Sequence, residues 1–233
     1  MPKVSIALPC YNHSRFLIEC VSSILGQTEE DWELVIYNDG STDETHDTAA
    51  QLAKLDGRIR CGGSSKNKGI AFARNAAISE CTSSLILNAD ADCYFGPEIL
   101  SKFLTANKFM QGDIIYSWYQ HIEEDGTIRN LQKQPLCTPQ KILEQCIITI
   151  AAMYPRTLWE RSGGYKCKFN FGGEDWEFWI NLIHNYGAIP YCIKEPLFFY
   201  RWHDDMITRR ILNTRMSELD IMLRKEHKSI YEK

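Results

Sequence analysis

A chain of 233 residues, 44% hydrophobic and 24% charged, carries enough apolar material for one sizeable α/β core. A formal net charge of −4 argues against a general nucleic-acid binder, and no apolar run approaches the ~20 residues of a membrane-spanning helix. Nine cysteines, none in C-x-x-C spacing, read as reduced small hydrophobes, and the strand-like start is too short for a signal peptide, so a cytoplasmic protein is expected.

In chain order, KVSIALPCYN is a β-branched run ended by Pro9 and predicts a strand. SRFLIECVSSILGQ then sets Phe16, Leu17, Cys20, Val21, Ile24 and Leu25 at helical spacing. WELVIYND predicts a second strand, GSTDE a turn whose Ser41 or Thr42 caps a helix, and THDTAAQLAKL that helix. IRCGG, NKGIAFARNAAISE and SSLILNAD give strand, helix and strand once more. Such alternation makes a parallel sheet covered on both faces, with ligands beyond the carboxyl ends of the strands. PCYN, NDGS and DAD all fall at such ends and should line one crevice.

After Gly96 and Pro97, PEILSKFLTANKF predicts a helix, GDIIYSWYQHI a strand and EEDG a tight turn before Thr127 and Ile128. The alternation weakens from Leu131. Gly163-Gly164, Gly172-Gly173 ahead of an amphipathic helix, and the aromatic run PLFFYRWHDD are expected to build the wall and floor of a second pocket. At the end, Leu212, Met216, Leu219, Met222 and Leu223 keep helical spacing and should pack on the domain.

Asp90 and Asp92, separated by one alanine at a strand end, suit a hard divalent cation that bridges to phosphate, although surface turns carry the same pattern. Taken singly, Asp39 reads as a turn residue, Arg74 as a solvated helix residue, Tyr11 as a core edge and His203 as a satisfied histidine. Glu174 and Asp175 open an aromatic-rich helix, where carboxylates are favoured and simple capping explains one of the two. Trp159, Trp176, Trp179 and Trp202 suit the C–H faces of sugars, with two of them expected in the core.

In joint order and spacing, VSIALPCYNHSRFLIECVSSILGQT, LVIYNDGSTDET, NKGIAFARNAAI, DADCYFGPEIL and GGEDWEFWINL resemble the inverting glycosyltransferase family 2, over Val4 to His203. The resemblance implies a GT-A fold, a Rossmann-like mostly parallel sheet flanked by helices. It implies one domain: a nucleotide-sugar-binding half over residues 1–130, an acceptor-binding and catalytic half over 131–210, and a C-terminal helix over 211–233. By the same resemblance Asp39 accepts from a uracil imide, Pro9 and Tyr11 flank the base, and Arg74 lies near the nucleotide. Asp92 then ligates Mn²⁺ or Mg²⁺, Asp90 lies near the ribose or in the metal shell, and His203 completes that shell beside a positive charge from Arg201. Asp175 is the base that deprotonates the acceptor hydroxyl, and Glu174 orients the acceptor. Asn38 stands where the family more often has Asp, which implies hydrogen bonding there in place of charge.

Processive synthases of that family carry Q-x-x-R-W, whereas Phe198 precedes Arg201-Trp202 here. Addition of one sugar or a few, from a UDP-sugar to a saccharide or lipid-linked acceptor, is therefore expected. Arg209, Arg210, Arg215 and Arg224 raise peripheral association with an anionic membrane, and a non-catalytic sugar-nucleotide-binding module stays the alternative. An aspartate-dependent phosphohydrolase would need D-x-D near its first strand, and a nucleotidyltransferase a glycine in LPCYNHSRF.

Overall fold

A computed structural model describes residues 1–110, 112–204 and 206–232, apart from the side chains of Arg210, Leu212 and Asn213, so the expectations on Arg210 and Leu212 lie outside the described residues. The first half alternates β1 (Val4–Cys10), α1 (Ser14–Leu25), β2 (Trp32–Asp39), α2 (Thr45–Leu55), β3 (Ile59–Ser64), α3 (Ile70–Glu80) and β4 (Leu85–Asn88). Their four strands are parallel in the order β3-β2-β1-β4, with Val4 opposite Trp32 and Cys10 opposite Asn38. Side chains alternate across the strand. Ile6 and Leu8 pack with Leu17, Val21 and Ile24 of α1 on one face, while Ala7 and Val35 meet α3 on the other. Phe16, Leu17, Cys20, Val21 and Ile24 of α1 are buried, a gain on the order of 10 kcal/mol before the entropy of ordering is subtracted.

The second half contains β5 (Tyr94–Phe95), α4 (Ile99–Phe109), β6 (Ile114–Glu123), β7 (Ile128–Gln132), α5 (Lys141–Glu144), β8 (Met153–Pro155), α6 (Arg156–Ser162), α7 (Glu174–Tyr186) and β9 (Pro190–Trp202). β8 slots antiparallel between β4 and β6, with Met153 opposite both Leu87 and Ile115. β9 runs parallel to β6 and pairs with β5 on its other side, while β7 folds back on β6 as a hairpin. One continuous sheet thus joins the two halves and carries β9 to the rim where β1, β2 and β4 end.

Two local expectations change. Ser41 and Thr42 do not cap α2, whose first residue is Thr45. Ser41 Oγ instead accepts the Asn12 N–H at 3.0 Å, and the Thr42 N–H donates to Asn12 Oδ1 at 2.8 Å, so the loops after β1 and β2 are bound to each other. The single C-terminal helix is three: α8 (Ile207–Thr214), α9 (Met216–Glu226) and α10 (Lys228–Tyr231), broken at Arg215 and His227. Leu219 and Leu223 are buried as expected, Met222 is partly buried, and Met216 is exposed. All nine cysteines are free thiols, and no helix among the described residues is long and apolar enough to cross a membrane.

Candidate functional site

The crevice forms where β1, β2 and β4 end. Pro9 is buried in the last turn of β1 and Tyr11, just beyond it, is 41% exposed, so Tyr11 offers an open ring face. Asn38 accepts the Ser41 N–H through Oδ1, the hydrogen-bonding role expected of it. Asp39 is buried; its Oδ2 takes the Lys68 and Gly69 N–H groups at 3.0 and 2.8 Å, and the Ser64 hydroxyl donates to Oδ1. Gly69 has a left-handed φ of 95°, and a Cβ there would collide with the Asn170 side chain, so glycine is needed where this loop enters α3.

Arg74 is not a solvated helix residue: it is 1% exposed, in the middle of α3. Its Nη2 donates to Asp90 Oδ1 at 3.1 Å and to Glu174 Oε1 at 3.3 Å, joining the end of β4 to the start of α7. Burial opposes its charge, but Asp90 and Glu174 hold its pKa above the ordinary value. Its Nε and Nη1 are buried without a hydrogen-bond partner among the described residues. Burial pushes Asp90 upward against the pull of Arg74, with Asp92 adding to the rise. For Asp92 burial acts the same way, yet the His203 hydrogen bond and the nearby His13 hold its carboxyl below the usual range.

α7 starts after two glycines with φ of 120° and 80°. A Cβ on Gly172 would run into Ile207 and Ile211, and one on Gly173 into Leu219, so α8 and α9 cover this turn too closely for any other residue. The turn delivers Glu174 to Arg74. Asp175 accepts the Trp176 N–H on Oδ1 at 2.7 Å, while its Oδ2 lies 4.0 Å from the Cys146 thiol. Burial, with Asp175 as the next cause, pushes Glu174 up to about 7, and burial also raises Asp175. The N-cap of α7 is Gly173 with no side-chain cap, so Asp175 holds its neighbour's N–H with one oxygen without capping the helix. Behind them, the fully buried Glu177 accepts from His227 at 2.9 Å and pairs with Lys166 at 2.7 Å, tying the C-terminal segment to α7.

At the end of β9, Arg201 and His203 point to the β4 side. Arg201 is a clamp and not a spare charge: it donates to the backbone oxygens of Asp92, Glu123 and Glu124 and pairs with Glu19. His203 Nε2 lies 3.1 Å from Asp92 Oδ2, and its Nδ1 is buried without a hydrogen-bond partner among the described residues. His13, which sequence reasoning passed over, joins them: one ligand atom from each of His13, Asp92 and His203 lies within 4.8 Å of the others. That donor set, two imidazoles and one carboxylate, fits a divalent transition ion. Asp90, expected near the ribose or in the metal shell, accepts from Arg74 through Oδ1.

The other faces are plainer. Trp176 and Trp179 are core residues, as expected of two of the four, while Trp159 donates to Asn75 and Trp202 stands at the rim. Tyr119, His121, Tyr200 and Trp202 form an aromatic strip with centroid spacings of 5.2 to 5.9 Å. It ends in an open cavity of about 330 Å³ lined by His121, Arg129, Asn130, Gln132 and Trp202. A larger cavity of about 650 Å³ lies against β2 and β3, lined by Tyr37, Arg60 and Cys61, and holds none of the carboxylates above.

This chain belongs to glycosyl transferase family 2, whose model matches residues 5–173. The chondroitin synthase of Escherichia coli is 29% identical over 184 residues, which cover 78% of this chain and 26% of that protein. The putative teichuronic acid biosynthesis glycosyltransferase TuaG of Bacillus subtilis is 28% identical over 210 residues, covering 89% of this chain and 82% of TuaG. The chain spans about a quarter or less of the chondroitin synthase and of the Pasteurella multocida hyaluronan synthase, of which it covers 19%. Among solved structures, Staphylococcus aureus TarS 1-349 with UDP-GlcNAc superposes with a TM-score of 0.74 at 17% identity, over 89% of this chain and 60% of that one. The mannosyltransferase PcManGT of Pyrobaculum calidifontis with GDP-Man and Mn²⁺ gives 0.69 at 18% identity, over 91% and 61%. These likenesses establish the GT-A fold. The family match stops one residue short of Glu174, so the roles of Glu174 and Asp175 rest on their surroundings in this chain.

Proposed function

We propose that this protein is a metal-dependent inverting glycosyltransferase that moves one sugar from a UDP-sugar to a saccharide or lipid-linked acceptor and forms a β-glycosidic bond. The observation that carries the reading is the shared guanidinium of Arg74, which holds Asp90 of the D-x-D loop and Glu174 of the GGED turn in one crevice. TarS with UDP-GlcNAc and the family match support a nucleotide-sugar donor.

Tyr11 and Pro9 flank the base. Asp39 accepts from three donors, with the Lys68 N–H shared between both oxygens, and an imide N–H would take the share that this bifurcated bond leaves. Asp92 and His203 hold Mn²⁺ or Mg²⁺ when one is bound, and the ion then supplies Lewis-acid charge against the diphosphate. The acceptor hydroxyl oxygen attacks the anomeric carbon opposite the nucleotide. Its proton passes to Asp175 Oδ2, the C–O bond to the diphosphate breaks, and that electron pair leaves with UDP. Burial raises Asp175, the direction that suits a carboxylate base. Glu174, anchored on Arg74, orients the acceptor.

The strip Tyr119, His121, Tyr200 and Trp202 suits a saccharide acceptor, since flat rings pack on sugar C–H faces. Arg209, Arg215 and Arg224 pair with Asp204, Glu218 and Asp220 of their own segment, so peripheral membrane attachment is the weaker route to a lipid-linked acceptor. Free thiols suit a reducing, cytoplasmic setting.

The test is UDP release from a panel of UDP-sugars with saccharide acceptors, for the wild type and Asp175→Asn. A loss of roughly 10²- to 10⁴-fold in the variant supports the base. Near-normal release sinks it, and UDP binding without release from any donor selects the non-catalytic binding module.

A further inference from the structure

Asp92 and His203 supply two protein atoms to a cation, fewer than the six of an octahedral shell even after two phosphate oxygens are added. The N-terminus of α1 contains a third candidate. His13 stands between β1 and α1, its ring perpendicular to that of His203 with centroids 5.9 Å apart. His13, Asp92 and His203 come from three separate parts of the chain, and their ligand atoms converge to within 4.8 Å.

The backbone around His13 is built to hold it there. Asn12 adopts a left-handed φ of 55°, uncommon without glycine, and its side-chain oxygen receives the Thr42 N–H. The His13 N–H donates to Thr45 Oγ1 at 3.0 Å, and Ser14 donates from both its N–H and its hydroxyl to Asp43. A turn that only started a helix would not need four ties to a neighbouring loop. On the other side, His203 is 2% exposed and its Nε2 faces Asp92 Oδ2 at 3.1 Å, so its imidazole is already held against the carboxylate.

We propose that His13 is a protein ligand of the donor-site metal and that it selects the ion. With it the protein contributes two imidazoles and one carboxylate, leaving three positions for the diphosphate and water. Mg²⁺ dehydrates reluctantly and keeps its waters, whereas Mn²⁺, a transition ion, gives them up more readily and accepts imidazole nitrogen beside its oxygen ligands. The site therefore takes Mn²⁺ in preference to Mg²⁺. The idea rests on the metal-dependent reading above, but it fails separately from it.

The experiment uses the full chain with Mn²⁺ and UDP, comparing wild type, His13→Gln and His13→Asp. Mn²⁺ affinity is read by electron paramagnetic resonance, coordinated nitrogen by electron spin-echo modulation, and Mg²⁺ by competition. The proposal expects two coordinated ¹⁴N nuclei in the wild type and one in His13→Gln, with Mn²⁺ bound roughly 10-fold or more weakly. It expects His13→Asp to bind Mn²⁺ again while Mg²⁺ competes better than against the wild type. Thermal unfolding without metal should match across the three proteins, because the ring of His13 is only partly buried. Equal Mn²⁺ affinity and an unchanged ¹⁴N signal in His13→Gln overturn the role of His13 and leave the Asp92 site standing. Failure of the wild type to bind Mn²⁺ with UDP overturns both.

Discussion

Replacing Arg74 by Met tests the contact that joins the two halves of the crevice. The guanidinium is 1% exposed and shares one nitrogen between Asp90 and Glu174, so its removal leaves the buried Glu174 carboxylate facing the half-buried Asp90. Breaking a buried pair in this way costs about 3–5 kcal/mol. Two guanidinium nitrogens that are buried without hydrogen-bond partners among the described residues disappear as well, which returns about 1–2 kcal/mol. The net loss should be about 1–4 kcal/mol at pH 8. Glu174, already pushed up to about 7, rises further without Arg74, and its protonated form tolerates burial, so the loss should shrink at pH 6. Guanidinium-chloride unfolding at both pH values measures this, with Arg74→Met/Glu174→Gln recovering part of the loss at pH 8 because the unpaired charge is gone. A loss under about 1 kcal/mol at pH 8, or a double variant no better than the single, would refute the reasoning.

Glu33 and Glu174 should shape the acid side of the stability profile in opposite directions. Burial acts to raise Glu33, but hydrogen bonds from Ser5, Thr82 and Arg60 hold it at about 2. Its folded pKa lies below the unfolded value of 4.5, so it contributes about 3 kcal/mol that is present above pH 4.5 and lost as pH falls towards 2. Glu33→Gln should flatten that window in unfolding midpoints. Glu174 has the reverse sign: with a folded pKa of about 7 against 4.5 unfolded, stability falls as pH rises from 4.5 to 7, and Glu174→Gln should remove that slope. Gly173→Ala sets a Cβ 2.5 Å from Leu219 at a φ of 80° and should cost about 1–3 kcal/mol in chemical unfolding. Adding Leu219→Val should relieve the contact but not the backbone strain.

The first half of the fold was readable because β1, β2 and β4 are apolar runs that stop at Tyr11, Gly40 and the D-x-D loop, with β1 continuing one residue past Pro9, and α1 keeps a clear 3.6-residue period. β8 was not, since its three residues sit in an apolar stretch with no flanking turn and become a strand only when β4 and β6 pair with them. The C-terminal breaks at Arg215 and His227 carry no glycine or proline, and the helical spacing of Leu212, Met216, Leu219, Met222 and Leu223 runs straight across the first of them. Within the site, the motifs announced Asp90, Asp92, Glu174 and Asp175, and the structure brings them to one crevice. What a sequence could not announce is which partner each side chain takes. Arg74 and Arg201 look alike as surface charges, yet one bridges two carboxylates and the other binds backbone oxygens. His13 had a signal only as an uncommon residue at a helix start, and its meaning depends on two residues far along the chain.

The most direct measurement is the unfolding midpoint with excess UDP, with Mn²⁺ and then with EDTA, for the wild type and Asp92→Asn. A ligand held only by the folded state at about 100 times its dissociation constant adds about 2.7 kcal/mol. The account predicts a UDP stabilisation of that order in the wild type that needs the metal and is lost in Asp92→Asn. A wild type unmoved by UDP and Mn²⁺, or an Asp92→Asn variant stabilised as much as the wild type, would contradict it.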